Sequence, residues 1–492
     1  MWSYTFLPRL GLPLIGAGLK AVGHDVLIYC PQFSPIDWDD VLSADLVGLS
    51  TTTSTAPAAY EISARVRAHG VPTIVGGSHV TFMADEALAH ADYVARGEGG
   101  DALMLELIAA LRGRRDLETI AGLSFTRAGV AVHNPPRQPC RDLDTLPVPD
   151  LTLIAGSFEQ RGTTPIMTSW GCPFACNFCS VTAMFGRKYR YRSPEHIMAE
   201  IEAKQPRSIF FYDDNFAADK RRLKTLLGMM IERDIKPRWM AQVRSDVARD
   251  EELLALMRQS GCNRLALGFE SVDQATLDSY AKAQTVADIT DCIAALHRHG
   301  IKCHGMFVIG ADNDTARTAD DTVAFAEKYG IDSLMLNVLT PGLGTKQYEM
   351  MNGSDRVFEE RWQFYDGQHV IFEPQNMTPV ELQTGVVKGY RHFYSLRRSL
   401  KYLVRLRFER LLEHLWGWWY IRRWQREPAN RTYIRQLAGR CRYAATATPA
   451  TPQPAAAQLD PPEPAASAGP HPAPAQLDPP QETVAARSGA AR

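Results

Sequence analysis

The chain has 492 residues, of which 45% are hydrophobic and 22% charged, and its formal net charge is −1. This composition excludes a fibrous or largely disordered protein and predicts two or three globular domains. The balanced charge does not indicate a nucleic-acid partner, and nine cysteines in so long a chain do not suggest a secreted disulfide scaffold. Since neither a secretory signal nor a membrane-spanning apolar run is evident, we expect a cytoplasmic protein.

Residues 1–140 alternate short apolar runs with helical patterns. The strand candidates are rich in Val, Ile and Leu and lie at 24–30, 45–51, 72–78 and 92–100. The alternation predicts a doubly wound, Rossmann-like α/β domain. A helix-like segment at 11–22 precedes the first clear strand, whereas such a domain usually opens with a strand. Either the chain starts late or the sheet is one strand short.

After a Pro- and Asp-punctuated linker over 141–163, a second β/α series occupies 164–377. Its strand candidates lie at 164–170, 208–212, 238–244, 264–270, 302–310 and 333–340. Six consecutive βα units predict a partial (βα)6 barrel of the TIM type, with sites at the carboxyl ends of its strands. Beyond it we predict a helical region over 378–443. Residues 444–492 are rich in Ala and Pro and predict a disordered tail, because proline at that density prevents a packed core.

Three of the nine cysteines lie in one loop candidate, WGCPFACNFCS, directly after the first barrel strand. Cys172, Cys176 and Cys179 have the spacing C-x3-C-x2-C, and clustered thiolates bind zinc or iron–sulfur clusters. A structural zinc site would need a fourth ligand nearby, and a ferredoxin-type cluster would need a fourth cysteine. No fourth cysteine follows nearby. Three thiolates are enough to hold three irons of a [4Fe–4S] cluster and leave the fourth iron open.

This motif, with Phe178 before its last cysteine, resembles the defining motif of the radical S-adenosylmethionine (SAM) superfamily. The resemblance implies a [4Fe–4S] cluster on the three cysteines and SAM on the open iron. It also implies an electron donor such as flavodoxin or ferredoxin. The expected SAM contacts come from the later strand ends and are Phe178, Asp213 or Asp214, Gln242, Arg244, Glu270, Ser271, Phe307 and Gly310.

A doubly wound domain before such a barrel resembles the cobalamin-binding (class B) radical SAM proteins. That group includes the anaerobic magnesium-protoporphyrin IX monomethyl ester cyclase and the hopanoid and bacteriochlorophyllide methylases. Segments such as VGLSTTTS, VGGSHVTFMADEAL and DYVARGEG carry the similarity. Gly- and Ser-rich strand ends suit a large flat ligand, and the expected contacts are Ser50, Thr51, Gly76, Gly77, Gly97, Glu98 and Gly99. The cobalt-ligating D-x-H-x-x-G motif is absent, and His79 is the only histidine in a suitable loop.

The resemblance implies that a 5′-deoxyadenosyl radical activates a carbon atom that then receives a methyl group from cobalamin. The substrate would be a small molecule, a lipid or a tetrapyrrole. Two alternatives stay open: an anaerobic oxidative cyclase, and a non-catalytic Fe–S or cobalamin sensor. The Trp- and Arg-rich segment 408–426 is interpreted as a helix that covers the barrel, with peripheral membrane contact as its alternative.

Overall fold

The computed structural model describes residues 7–156, 162–404, 406–446 and 483–487. The helices in these residues are α1 Gly11–Ala21, α2 Trp38–Leu42, α3 Ala56–Arg67, α4 Ser78–Phe82, α5 Ala84–Leu88, α6 Gly100–Leu111, α7 Ser180–Phe185, α8 Pro194–Lys204, α9 Lys220–Glu232, α10 Glu251–Gln259, α11 Gln274–Ser279, α12 Val286–Arg298, α13 Thr318–Tyr329, α14 Lys346–Asn352, α15 Pro379–Phe393, α16 Leu396–Val404, α17 Phe408–Arg426 and α18 Pro428–Thr446. The strands are β1 Asp25–Tyr29, β2 Leu46–Thr51, β3 Thr73–Gly77, β4 Tyr93–Ala95, β5 Leu123–Arg127, β6 Val130–His133, β7 Thr164–Ile166, β8 Ser169–Trp170, β9 Arg190–Tyr191, β10 Ser208–Phe211, β11 Arg238–Val243, β12 Cys262–Glu270, β13 Lys302–Ile309, β14 Ser333–Val338 and β15 Thr483–Arg487.

The N-terminal domain is built on one sheet with the strand order β1-β15-β2-β3-β4-β5-β6. Strands β2, β3 and β4 are parallel, and β5 and β6 extend the sheet as an antiparallel hairpin. Both faces are covered, since Leu19 and Leu107 belong to a core on one side and Val66 to a core on the other. The predicted doubly wound domain is confirmed, and the carboxyl ends of β2, β3 and β4 share one edge.

A strand from the far end of the chain completes this sheet. Strand β15 lies antiparallel between β1 and β2, with Ala485 opposite Leu27 on one side and Val47 on the other. Here the structure differs from the predicted disordered tail, because unpaired edges of β1 and β2 favour pairing with any β-compatible segment. The remainder of the predicted tail beyond 446 lies outside the described residues.

The barrel sheet has the order β14-β13-β12-β11-β10-β7, and each neighbouring pair is parallel. Phe211, Leu267 and Phe307 on its strands join the barrel core with residues of the surrounding helices. The predicted partial (βα)6 barrel is confirmed. The first strand is shorter than predicted, because the chain leaves the sheet after Ile166 and pairs β8 antiparallel with β9.

The C-terminal helices cover the open side of the barrel, as the sequence predicts. Strand β14 is an edge strand, and two tyrosines of α15 satisfy its backbone: Leu336 N donates to the Tyr390 hydroxyl at 2.9 Å, and Leu334 N to the Tyr394 hydroxyl at 2.8 Å. Helix α17 is joined to the amino end of β13, where Glu409 lies 2.7 Å from Lys302. Within the described residues, no helix combines the length and hydropathy that crossing a membrane requires.

Candidate active site

A cavity of about 350 Å³ lies between the N-terminal domain and the barrel. Its N-terminal wall includes the predicted residues Ser50, Gly76, Gly77, Gly97, Glu98 and Gly99. Its barrel wall consists of residues that flank the cysteine loop, namely Met167, Ser169, Trp170, Met184, Phe185, Tyr212 and Asp214. The cavity therefore lies where the carboxyl edges of both sheets meet, which is where ligands bind in α/β folds.

At its strand ends the N-terminal wall presents main chain, for a steric reason. Gly77 has a φ of +108°, and a Cβ there would lie 2.2 Å from the Thr51 carbonyl oxygen, so a side chain would push β2 and β3 apart. Gly97 has a φ of +77°, and a Cβ there would meet no atom within 4 Å. Glycine adopts such φ values at little cost. A side chain at position 97 would project into open space at the cavity, whereas glycine leaves that space to a ligand.

The cysteine loop begins at Gly171, whose φ of +82° turns the chain out of β8. The barrel holds the loop by its backbone and by one amide: Asn177 N donates to Tyr280 O at 3.3 Å, and Asn177 Nδ2 donates to Ser279 O at 2.7 Å. Phe178 packs edge-on against Tyr280, with ring centroids 5.0 Å apart. The aromatic residue of the motif therefore anchors the loop to the barrel.

The three thiols of the loop are partly exposed. Burial raises the pKa of Cys172 and raises the pKa of Cys179 to about 11, although backbone N–H groups oppose both shifts. Arg244 supplies positive charge beside them, since its Nη1 lies 3.8 Å from Cys176 Sγ and its guanidinium stacks 3.7 Å from the centre of the Phe174 ring. Arg244 therefore places a positive charge beside Cys176 and fixes the position of the loop.

The two aspartates after β10 lie in different environments. Asp213 is buried and accepts hydrogen bonds from Thr168 N at 2.7 Å, from Ser169 N at 3.0 Å and from the Thr168 hydroxyl. It fixes the segment that leads into the cysteine loop, and burial raises its pKa. Asp214 lines the cavity, where desolvation and the Asp213 charge raise its pKa to about 6. Of the two predicted candidates, Asp214 is the one with its carboxyl group at the cavity.

The fourth barrel strand ends in a buried ion pair. Glu270 has a φ of +64°, and its Oε1 lies 2.7 Å from Lys282 Nζ. The Lys282 carbonyl in turn accepts a hydrogen bond from Arg244, which links the pair to the cysteine loop. Ser271 Oγ accepts a hydrogen bond from Asp273 N at 3.1 Å and stabilises the turn before α11. Glu270 and Arg244 thus share one network, and Ser271 has a local structural partner.

Two residues that were predicted to contact a cofactor pack inside the protein instead. Phe307 is fully buried, and its ring centroid lies 5.7 Å from that of Phe269 in the barrel core. A Cβ on Gly310 would lie 2.9 Å from Leu382, so this glycine is required for close packing of α15. Neither residue lines the cavity. The prediction followed strand ends, but the alternation of side chains along β13 turns Phe307 toward the helices.

Two other predicted contacts also have backbone partners. Thr51 is buried, and its hydroxyl donates to the Gly76 carbonyl at 2.9 Å, which joins β2 to β3 below the cavity wall. Gln242 is half-buried on β11, and its main-chain carbonyl accepts a hydrogen bond from Phe216 N at 2.9 Å. Both residues support the strand ends, and neither is among the cavity-lining residues.

Two residues at the site escaped the sequence prediction. Arg190 on β9 binds Glu98 through bonds of 2.5 and 2.9 Å, and these side chains are only 3% and 6% exposed. Arg190 also donates to the carbonyls of Cys140 at 2.8 Å and Phe185 at 2.9 Å, so it joins the two domains beside the cavity. Lys282 is the second. The sequence offered only a basic run after the cysteine loop as a signal, since partners 92 positions apart do not appear in local spacing.

His79 does not reach the cavity. Its side chain is fully buried, and its Nε2 lies 3.0 Å from Glu86 Oε1. Trp362 from the barrel side donates its Nε1–H to the other oxygen of Glu86 at 2.8 Å. His79 therefore belongs to a structural network between the domains, as expected for a chain without the D-x-H-x-x-G motif.

Family models and curated relatives agree with this arrangement. The model of the B12 binding domain matches residues 3–105, and that of the radical SAM superfamily matches residues 166–341. The anaerobic magnesium-protoporphyrin IX monomethyl ester cyclase of Rubrivivax gelatinosus is 30% identical over 425 residues, which cover 80% of this chain and 75% of that protein. The chain belongs to the cobalamin-binding radical SAM family.

Two further comparisons extend this assignment. Bacteriochlorophyllide d C-12(1)-methyltransferase of Chlorobaculum tepidum is 28% identical to the present chain, and the match covers 72% of this chain and 76% of that protein. The structure of the radical SAM methyltransferase TsrM from Kitasatospora setae, with cobalamin and a [4Fe–4S] cluster bound, has the same fold: the TM-score is 0.61 at 18% identity, with coverage of 71% and 76%. As a family member, the protein is a radical SAM enzyme whose cofactors are a [4Fe–4S] cluster, SAM and cobalamin.

The residues present suit these cofactors. Three thiols in one loop beside Arg244 match the donors that a cluster with one open iron requires. On the opposite wall, the space that a Cβ at Gly97 would enter is available to a corrin ring. The fit therefore rests on donor chemistry at the cysteine loop and on open space beside Gly97.

Proposed function

We propose that the protein transfers a methyl group to an unactivated carbon of a tetrapyrrole or lipid-like substrate. The observation that carries this proposal is the single cavity bounded by Gly97 and its neighbours on one wall and by Asp214 and the cysteine-loop flanks on the other. A methyl donor and a carbon radical react only when both are held in one space from which water is excluded. The apolar lining, which includes Leu12, Met104 and Trp170, suits a large apolar substrate.

In this proposal the barrel wall holds the radical chemistry. Cys172, Cys176 and Cys179 would bind the cluster, which supplies the electron for reductive cleavage of SAM to a 5′-deoxyadenosyl radical. Asp214 would pair with the SAM ammonium group, since it is the carboxyl group on the barrel wall of the cavity. Arg244 would stabilise the thiolates and offer its remaining donors to the SAM carboxylate. Glu270 and Lys282 would keep Arg244 in position.

The N-terminal wall would hold cobalamin, which supplies the methyl group. The strand ends at Ser50, Gly76 and Gly97 would lie against the corrin, and Glu98 would act indirectly, through its ion pair with Arg190. Because His79 is paired with Glu86, we expect this histidine to take no part in holding cobalamin.

We also propose a role for each segment of the chain. Residues 1–140 would bind cobalamin, 141–163 would connect the domains, and 164–377 would form the SAM barrel. The helical region 378–443 would cover the barrel, and an electron donor such as flavodoxin or ferredoxin would supply electrons to the cluster.

The test is label transfer from SAM. The anaerobically reconstituted, cobalamin-loaded protein is incubated with SAM deuterated in its methyl group, a reductant and an extract from a strain that lacks the protein. We expect 5′-deoxyadenosine and one metabolite that gains the deuterated methyl group. Formation of 5′-deoxyadenosine without label in any metabolite would reject methyl transfer, and failure to form 5′-deoxyadenosine would reject the radical reaction itself.

Oxidative cyclisation is the second candidate. The observation in its favour is the relative from Rubrivivax gelatinosus, a magnesium-protoporphyrin IX monomethyl ester cyclase that reaches 30% identity. In the same experiment, a cyclase would yield 5′-deoxyadenosine and a product that has lost hydrogen and gained oxygen from labelled water. The two isotopes therefore separate the two reactions.

A further inference from the structure

Helix α16 faces the opposite way from an ordinary amphipathic helix. Its apolar residues Leu396, Leu400, Leu403 and Val404 follow the i, i+4, i+7, i+8 spacing of one helical face. That face points to solvent: the four side chains are 44%, 60%, 45% and 79% exposed. In a globular protein such a face normally packs against the core. Here the outward orientation requires another explanation.

The exposed apolar surface continues into the next helix. We define the apolar patch as the exposed large hydrophobic residues of α16, the following turn and α17: Leu396, Leu400, Leu403, Val404, Leu406, Phe408, Leu412 and Trp419. These are eight of the fourteen exposed large hydrophobic side chains in the described part of the chain. Since they fall within 24 consecutive positions, they form a concentrated surface feature and not the usual scatter of single residues.

Both helices of the hairpin are docked through polar residues. In α16, Ser399 is buried and Arg398 pairs with Glu327 of α13. Glu409 of α17 pairs with Arg238 and Lys302, each at 2.7 Å. Arg410 pairs with Asp332, whose side chain is fully buried. The apolar patch is therefore exposed while the hairpin is in place, and its exposure does not reflect a detached helix.

The charge around the patch has one sign. Residues 396–426 contain nine Lys or Arg and two Glu, although the whole chain carries a net charge of −1. Both glutamates, Glu409 and Glu413, are paired with basic residues of the barrel strands. Arg397, Lys401 and Arg407 are exposed. Leucines, a phenylalanine and a tryptophan bordered by unneutralised basic residues are the composition of a segment that binds an anionic lipid interface.

We propose that the α16–α17 hairpin docks the protein on an anionic lipid bilayer surface. The side chains of the patch would enter the boundary between headgroups and acyl chains, and the basic residues would bind lipid phosphates. The proposal places the membrane contact at 396–419, so it starts earlier than the segment that the sequence indicated. It does not depend on the proposed methyl transfer.

Vesicle co-sedimentation of the full chain tests the proposal. Wild type is compared on vesicles of phosphatidylcholine alone and of phosphatidylcholine mixed with phosphatidylglycerol. We expect binding to the anionic vesicles that weakens as salt is added. The patch variant Leu400→Ser/Val404→Ser/Leu412→Ser should partition at least about tenfold less. A charge variant, Arg397→Gln/Lys401→Gln/Arg407→Gln, should lose the preference for phosphatidylglycerol.

The matched control is Val22→Ser/Val130→Ser, which removes two valines that are 59% and 66% exposed on the N-terminal domain. It should bind vesicles like wild type. All variants should keep the wild-type circular dichroism spectrum and form 5′-deoxyadenosine from SAM at the wild-type rate. Wild type that stays in the supernatant with anionic vesicles would overturn the proposal. So would a patch variant that sediments like wild type, or a wild-type dimer that the patch variant converts to monomer without any vesicle binding.

Discussion

The two walls of the interdomain cavity are built from different parts of the polypeptide. At its strand ends the N-terminal wall presents main chain at Gly76, Gly77 and Gly97, whereas the barrel wall presents the Asp214 carboxyl group among residues that flank the cysteine loop. Exposed main chain accommodates a large flat ligand by shape, whereas a carboxyl group beside the cysteine loop binds a small polar one. Substitutions on the two walls should therefore impair different functions: SAM chemistry on the barrel side and cobalamin binding on the N-terminal side.

The largest effect is expected from the barrel wall. Cys176→Ala removes one of the three thiols, so we expect formation of 5′-deoxyadenosine to fall below detection and iron content to drop, with cobalamin binding retained. Anaerobic assay with SAM and dithionite measures the first, and iron analysis the second. Cys140→Ser serves as the control, because that half-buried cysteine lies outside the loop. Undiminished product from Cys176→Ala would show that the loop is not the cluster site.

The second largest effect is expected at the ion pair between Arg190 and Glu98, which joins the two domains. Arg190→Gln leaves the Glu98 carboxylate buried without its partner, which typically destabilises a protein by about 3–5 kcal/mol. We expect a lower melting temperature and loss of cobalamin on gel filtration. The double variant Arg190→Met/Glu98→Met should recover most of the stability. Arg298→Gln breaks an ion pair whose side chains are each 60% exposed and should cost less than about 1 kcal/mol. Equal losses in the two single variants would contradict the buried-pair interpretation.

SAM binding at the barrel wall should depend on pH, because Asp214 titrates near neutral pH. Its folded pKa of about 6 lies above the ordinary value of 3.8, so the stability that its protonated form contributes is lost as the pH rises through 6. The ionised form is the one that would bind the SAM ammonium group. We therefore expect SAM affinity of the anaerobic holoenzyme, measured by calorimetry, to fall about tenfold per pH unit below pH 6.

Asp214→Asn should weaken SAM binding at pH 8 about 10- to 100-fold and flatten this pH profile, because a charge-assisted hydrogen bond is lost. Asp355→Asn, on an exposed loop, is the control. A variant at Asp214 that keeps the wild-type pH profile would assign the ammonium contact to another group.

The smallest effect is expected from the shape of the N-terminal wall. Gly97→Leu strains the backbone by about 1–2 kcal/mol and extends a side chain toward the cavity, so cobalamin affinity should fall at least about tenfold while cluster assembly is unchanged. Gly113→Leu introduces the same strain, since Gly113 has a φ of +70° and open space around it, but it does not line the cavity. Absorbance titration with hydroxocobalamin measures both. Equal affinities would mean that the wall does not contact the corrin.

Much of the fold and part of the site could be predicted from the sequence. The two β/α series, the three cysteines and the glycine-rich strand ends are local patterns, and periodicity or spacing reveals such patterns directly. Phe307 shows the limit of that approach: a strand end suggested a cofactor contact, but side-chain alternation along β13 puts the ring in the core. Arg190 and Lys282 escaped prediction because their partners lie far away in sequence or across a turn.

The sequence alone was enough to predict the donor set, Cys172, Cys176 and Cys179, because metal-ligand chemistry depends on residue types at short spacing. Only the tertiary structure decided which of Asp213 and Asp214 lines the cavity, since adjacent carboxyl groups differ only in what surrounds them. The same holds for α16, whose apolar stripe predicts a buried face by its spacing. Burial depends on which face the rest of the protein covers: in α16, Ser399 is buried and Arg398 pairs with Glu327, whereas the apolar stripe is exposed.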